Sequence, residues 1–355
     1  MPLDPGVELL PDAPVVGPGD DLLGHGAVAE RLVELACAAP LVMPRVVAVV
    51  GASGAGKTGI LNLVGARLGE RGDAAAVAVD AGEHPSAESL VGALQRHLGE
   101  FFEAAGVVET SDAARDALAR YGEVVSTVVK LVGVKLDVAG AVKRSETSLA
   151  QELAENAQQL GKRLVITIDH LDRMADRDLG TTLIALRMYA QLPYTSLVLA
   201  YDRRALATRA GLDRGALARL VTVELAVPPC DRALLARLVA GGLARAATRL
   251  GADLDPVLPL FDPDGGGVAL ALLETPRDGK RAVNALTAAL PLVTGEPRRA
   301  ALDLVVRLIA PELDGPRLEP VAAELRRARA AELREVVAHH PRAAALAAAI
   351  DELLG

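Results

Sequence analysis

Eight consecutive residues, Gly51-Ala-Ser-Gly-Ala-Gly56-Lys57-Thr58, constrain this chain more than any other feature. They satisfy G-x-x-x-x-G-K-[ST] without deviation and follow Arg45-Val-Val-Ala-Val-Val50, an apolar run of strand length. Lys57 to Leu68 then reads as a helix. A strand entering and a helix leaving a glycine-rich turn is the setting in which successive backbone N–H groups point inward around phosphate oxygens. The glycines permit the required backbone angles, and the helix N-terminus adds its positive end. The loop residues Gly51, Ala52, Ser53, Gly54, Ala55, Gly56, Lys57 and Thr58 are therefore expected to bind ATP. Lys57 is expected to reach the β- and γ-phosphates, and the Thr58 hydroxyl to ligate Mg²⁺. No Asn-Lys-x-Asp element follows the third strand, which argues against GTP.

The rest of the pattern fixes the fold class. Ala75 to Val79, Leu164 to Ile168 and Ser196 to Ala200 read as strands, and Leu220 to Leu225 as a fourth core strand. Helices are expected near Ala27 to Ala38 and over Ser86 to Phe102, with Ser86 as N-cap. Continuous apolar strands alternating with helices predict an α/β fold, a parallel P-loop sheet flanked by helices. The separation of Lys57 from Asp169 far exceeds the roughly 30 residues of one βαβ unit, so a helical insertion is expected over about 106–147. Ser148-x-x-Gln151 is a capping box for the helix before the Leu164 strand. After Pro228 only helices are predicted, starting near Arg232, Arg277, Arg298, Leu318 and Arg342. The expected organisation is a flexible arm over 1–18, a P-loop core over 19–227, a helical lid over 228–295 and a helical extension over 296–355.

Composition narrows the partners. Of 355 residues 51% are hydrophobic, yet there are no Trp, three Phe and four Tyr, so the core must be built from Ala, Leu and Val. A formal charge of −8 with so few aromatics gives no strong nucleic-acid signal. A basic cluster at Arg326, Arg327 and Arg329 is read as a solvated helix face. Cys37 and Cys230 lack metal or redox spacing and are read as reduced thiols in a cytoplasmic protein. No membrane span is expected, because the most apolar candidate, Val124 to Val142, is broken by Lys130, Lys135 and Asp137.

A P-loop needs a carboxylate at the tip of a neighbouring strand to hold Mg²⁺ and its water. Leu164-Val-Ile-Thr-Ile168 leads into Asp169, which is assigned as that metal ligand. His170 and Asp172 follow. Asp172 is the better candidate base for activating water, with a cap or an ion pair to Arg173 as the competing role.

With these residues in place the chain resembles the KAP family of P-loop NTPases, within the broader STAND and AAA+-like ATPases. Four stretches carry the resemblance: Asp20-Asp-Leu-Leu-Gly24, Ile168-Asp-His-Leu-Asp-Arg173, Leu197-Val-Leu-Ala-Tyr-Asp202, and Thr275-Pro-Arg277-Asp-Gly-Lys280-Arg281-Ala-Val-Asn284. It runs from about Asp20 to Leu290. Two departures stand out: His170 occupies the place of the family's usual second acid, and the insertion lacks the membrane helices that many relatives carry. The resemblance implies signalling, stress response or antiviral defence, with ATP-dependent assembly through a protein partner or self-association.

The Thr275 stretch also makes sense by itself. Thr275 suits an N-cap and Pro276 the first turn, while Arg277, Lys280 and Arg281 fall three and four apart on one helix face. Such a face is suited to sense a γ-phosphate, with Arg277 assigned to catalysis and Arg281 to nucleotide binding, and a solvated basic face is the alternative. The leading expectation is a slow Mg-ATP hydrolysing switch. A non-hydrolysing ATP-binding scaffold is the alternative, and a small-molecule kinase a more distant one.

Overall fold

The computed structural model describes residues 9–104, 120–127, 162–207, 214–292, 296–313 and 323–354, except positions 12, 22, 41, 42, 44, 124, 193, 251, 252, 290 and 291. Apart from residues 120–123 and 125–127, which are helical, the expected insertion lies outside the described residues, as does the Ser148–Gln151 capping box. The chain divides into two compact units, Pro14–Val227 and Met1–Ala13 together with Pro228–Gly355.

The first unit is built on strands β1 (Arg45–Val50), β2 (Ala74–Asp80), β3 (Arg163–Asp169), β4 (Thr195–Tyr201) and β5 (Val223–Ala226). All pair in parallel, in the order β2-β3-β4-β1-β5. Helices α1 (Gly26–Ala36), α2 (Lys57–Gly69), α3 (Ala87–Ala104), α4 (Asp176–Tyr189), α5 (Arg203–Ala207) and α6 (Arg214–Leu220) accompany them. Because side chains alternate across a strand, β1 feeds two cores. Val46, Ala48 and Val50 join a cluster with α3 and α4, whereas Val47 and Val49 join one with α1 and α2. β3 and β4 are buried along their whole length, as their unbroken apolar runs require. Ser86 caps α3 as expected, its Oγ accepting from the Ser89 amide at 3.2 Å.

Two expectations are corrected. The strand near Leu220 is not a core strand: Leu220 closes α6, and β5 is a half-exposed edge strand paired with β1. The strands adjacent to the P-loop strand are β4 and β5, so the Asp169 tip stands two strands from β1, roughly 10 Å across the sheet. At the opposite end of β3, fully buried Arg163 donates to Ser196 Oγ at 2.6 Å and to the carbonyls of Pro40 and Met43 at 3.2 Å, tying down the segment that leads into β1.

The second unit contains, among its described residues, α7 (Arg232–Leu250), α8 (Val268–Leu272), α9 (Pro276–Ala289), α10 (Pro297–Ile309), α11 (Ala323–Val336) and α12 (Ala343–Leu354). Only the five-residue α8 was not foreseen, being too short to show a period. The start of α9 is a reciprocal cap. Thr275 Oγ1 accepts from the Asp278 amide at 3.2 Å, and Asp278 Oδ2 accepts from the Thr275 amide at 3.1 Å. Arg342 reinforces it, donating to Asp278 Oδ2 at 2.8 Å and to the Leu272 carbonyl at 2.6 Å. Further along α9, the Asn284 side chain clamps Leu10, accepting from its amide at 2.7 Å and donating to its carbonyl at 2.9 Å.

All four tyrosines (121, 189, 194 and 201) belong to the sheet unit, and the chain has no Trp. Tyrosine fluorescence thus reports that unit selectively. Ile166→Ala, at a fully buried position of β3, is expected to lower the sheet unit's stability by about 2–5 kcal/mol in urea unfolding followed this way. A loss below about 1 kcal/mol would contradict the packing described.

Candidate functional site

The phosphate loop joins β1 to α2. Gly54 and Gly56 sit at φ 82° and 102°, conformations closed to ordinary side chains, and turn the loop back onto the helix start. Gly56 is hemmed in as well: a Cβ there would lie 2.3 Å from Cε1 and 2.9 Å from Nδ1 of His25. His25 immediately precedes α1 in a turn organised by Asp21, whose carboxylate accepts from the amides of Leu23, His25 and Gly26 at 3.3, 3.0 and 2.7 Å. The His25 ring is buried, and its Nδ1 has no hydrogen-bond partner. Burial holds its pKa below the usual range, with the Asp21 charge opposing this in part.

Lys57 opens α2 and is buried, its Nζ donating to the loop carbonyls of Gly51 at 2.8 Å and Ala52 at 3.0 Å. Burial lowers its pKa. Three carboxylates oppose that effect, Asp172 most strongly, then Asp202 and Asp169. The sheet topology explains this gathering, because Asp169 ends β3 and Asp202 directly follows β4. Asp172 joins them from the short turn Leu171–Arg173, where its Oδ1 accepts from the Asp202 amide at 3.1 Å.

The two oxygens of Asp169 differ in their surroundings. Its Oδ1 accepts from the His170 amide at 2.7 Å, while its Oδ2 is buried without a hydrogen-bond partner. A buried carboxylate oxygen without a hydrogen bond is costly, by about 1–3 kcal/mol, and a bound cation or its water would relieve it. Half-buried Thr58 contributes a hydroxyl from the first turn of α2. The glycine cradle, one ammonium, a hydroxyl and an unsatisfied carboxylate together suit a phosphate chain with a hard divalent ion.

His170 is directed to the β2 side. Its Nδ1 lies 2.8 Å from Asp80 Oδ2, and its backbone adopts φ 53°, ψ 34°, a left-handed conformation that costs a residue other than glycine about 1–3 kcal/mol. Asp80 gave no usable signal in the sequence. It ends β2 as Asp169 ends β3, and the two are register partners, but β2 is alanine-rich and partly exposed.

The structure thus brings together the loop, Lys57, Thr58, Asp169 and Asp172, and adds Asp202. Arg277 and Arg281 lie on α9 of the other unit, Arg277 partly buried and Arg281 exposed. Lys280, assigned to the same cationic face, donates to the Ala13 carbonyl at 3.1 Å.

Comparison with known proteins agrees with the motifs. The model of the KAP family P-loop domain matches residues 26–211. The Phage T7 exclusion protein of Escherichia coli K12 is 26% identical over 54% of this chain and 30% of its own, so this chain spans less than a third of that relative. Among solved structures, the Aeropyrum pernix ORC2 protein, in ADPNP–ADP complexes, aligns over 92% of this chain and 93% of its own at 14% identity and TM-score 0.38. Domain III of the Thermotoga maritima replication initiation protein DnaA aligns over 86% and 100%, at 14% identity and TM-score 0.40. No helix among the described residues is long and apolar enough to cross a membrane.

Gly56→Ala is expected to abolish nucleotide binding, measured by fluorescence anisotropy of mant-ATP, since a methyl group meets both the His25 ring and a positive φ; retained affinity would contradict the loop geometry. The buried His25 predicts an acid-sensitive fold. Below pH of about 6.5 the unfolded chain takes up a proton that the folded ring resists, so stability falls as pH drops through that value. His25→Gln is expected to lose less stability between pH 7.5 and 5.5 than the parent in urea titrations. Equal losses would assign the acid sensitivity elsewhere.

Proposed function

Since the chain belongs to the KAP family of P-loop NTPases, we propose that it is an Mg-ATP-dependent conformational switch with slow hydrolysis. The observation that carries this reading is the convergence of Asp172, Asp202 and Asp169 on the buried Lys57 at the mouth of a glycine-turned loop. Loop amides from Gly51 to Gly56 would cradle the phosphates. Lys57 would exchange the Gly51 and Ala52 carbonyls for phosphate oxygens, which compete well for a buried ammonium. Thr58 and Asp169 would hold magnesium, which when bound neutralises charge on the phosphate oxygens. Asp172 takes the role of base: it would accept the proton of the water that attacks the γ-phosphorus as the bond to the ADP oxygen breaks. Its link to the Asp202 amide holds it in place for this.

Arg277 and Arg281 are proposed to respond to the γ-phosphate from α9, whose start is fixed by the Thr275–Asp278 cap and by Arg342. The switch would then be the α9 unit answering to the nucleotide state of the sheet unit. The relative named for phage T7 exclusion favours a role in defence against phage, exerted through a protein partner or self-association in the cytoplasm. A second reading, a scaffold that binds ATP without hydrolysing it, is favoured by His170, which stands in place of a second acid and is engaged by Asp80.

Lys57→Ala is expected to weaken mant-ATP binding about 10- to 150-fold, the range for losing a charge-assisted hydrogen bond worth about 1.5–3 kcal/mol. Asp172→Asn should leave binding within about threefold and cut turnover by about 10²- to 10⁴-fold. Turnover unchanged in Asp172→Asn would remove Asp172 from the chemistry. Binding by the parent with no turnover above the Lys57→Ala blank would favour the scaffold.

A further inference from the structure

The tips of β2 and β3 form a chain of contacts that ends on the carboxylate assigned to magnesium. Asp80 and Asp169 are register partners. Both oxygens of Asp80 are committed: Oδ1 accepts from the Gly82 amide at 2.8 Å, and Oδ2 faces His170 Nδ1 at 2.8 Å. Gly82 allows this close packing, since a Cβ there would come within 3.1 Å of both His170 Cβ and Arg173 Cδ. The ring so anchored belongs to a residue in the left-handed region, at φ 53°. The amide of this anchored residue donates to Asp169 Oδ1, 2.7 Å away. With Oδ1 so engaged, Oδ2 is left buried without a hydrogen-bond partner, 3.7 Å from His170 Nδ1.

From this geometry we propose that Asp80 is a positioning residue for magnesium. By anchoring the His170 ring it holds residue 170 in place, and with it the amide that keeps Asp169 turned so that Oδ2 would face a cation. This rests on the reading of Asp169 as the magnesium carboxylate. The imidazole serves as a tether, with its Nδ1–H donating to Asp80, and takes no part in proton transfer. Partners that orient a metal-binding carboxylate typically change metal affinity by about 10- to 100-fold when removed. Residue 170 is also the rare position where deleting a side chain should help, because glycine adopts positive φ without strain.

The test is the magnesium concentration that half-saturates tight mant-ATP binding, read by anisotropy, beside the affinity measured in EDTA. Asp80→Ala is expected to raise the magnesium demand about 10-fold or more and leave the EDTA affinity unchanged. Asp80→Asn keeps one acceptor oxygen for two donors, the Gly82 amide and His170 Nδ1–H, and is expected to fall between the parent and Asp80→Ala. The double variant Asp80→Ala/His170→Gly should recover most of the loss, because the backbone no longer needs the tether. An unchanged magnesium demand in Asp80→Ala, or a double variant as impaired as Asp80→Ala alone, would overturn the proposal. Asp169→Asn separates the two levels. If it leaves the magnesium demand unaltered, the placement of the cation fails and the proposal with it. If it raises the demand where Asp80→Ala does not, the role of Asp80 alone is overturned.

Discussion

A strand covered on both faces by helices has nowhere along its length to place a charge, since every side chain enters one apolar layer or the other. β3 and β4 are of this kind, and between their ends the hydroxyls they bury are Thr167 in β3 and Ser196 in β4. Acidic residues are therefore displaced to where each strand stops. Because all five strands run parallel, those stops fall along one edge of the sheet. Asp169 and Asp202 sit there for this reason, Asp80 stands beside them at the end of the partly exposed β2, and the loop from Gly51 leaves β1 at the same edge. The site is a by-product of how the sheet is covered.

That edge would be an unfavourable place for so many like charges without a counter-charge. Lys57 supplies one from the first turn of α2, and the carboxylates in turn support its charge against burial. The arrangement is mutual, and it explains why the lysine can be buried at all. Hydrogen bonds within the edge remove the remaining freedom. Asp172 is engaged by the Asp202 amide, and Asp169 by the amide of its own successor.

What the sequence revealed and what it hid divide along a physical line. The phosphate loop was legible because a tight turn around phosphate demands glycines at fixed offsets, a wholly local requirement. Asp169 was legible because an apolar run ending in acid is also local, and the Thr275 cap because capping spans four residues. The order of the strands is not local, and placing β4 between β1 and β3 required the fold. Asp80 also ends its strand, but that strand is alanine-rich and partly exposed, and its partner His170 lies 90 residues away. His25 carries no pattern; only its ring against Gly56 reveals it. Lys280 belongs to a recognisable motif, yet its bond to Ala13 spans 267 positions.

The clamp between Leu10 and Asn284 joins residues 274 positions apart, and the unit it serves is assembled from the first and last parts of the chain. During synthesis the two ends meet the ribosome exit at very different times. At about 5–20 residues per second, Leu10 waits on the order of 15 to 55 s for its partner. The sheet unit, encoded between them as one continuous stretch, has that interval in which to fold. Its phosphate loop can therefore meet nucleotide while the α9 unit is still being made, so the newborn protein can carry its ligand before it has the helices that would respond to it.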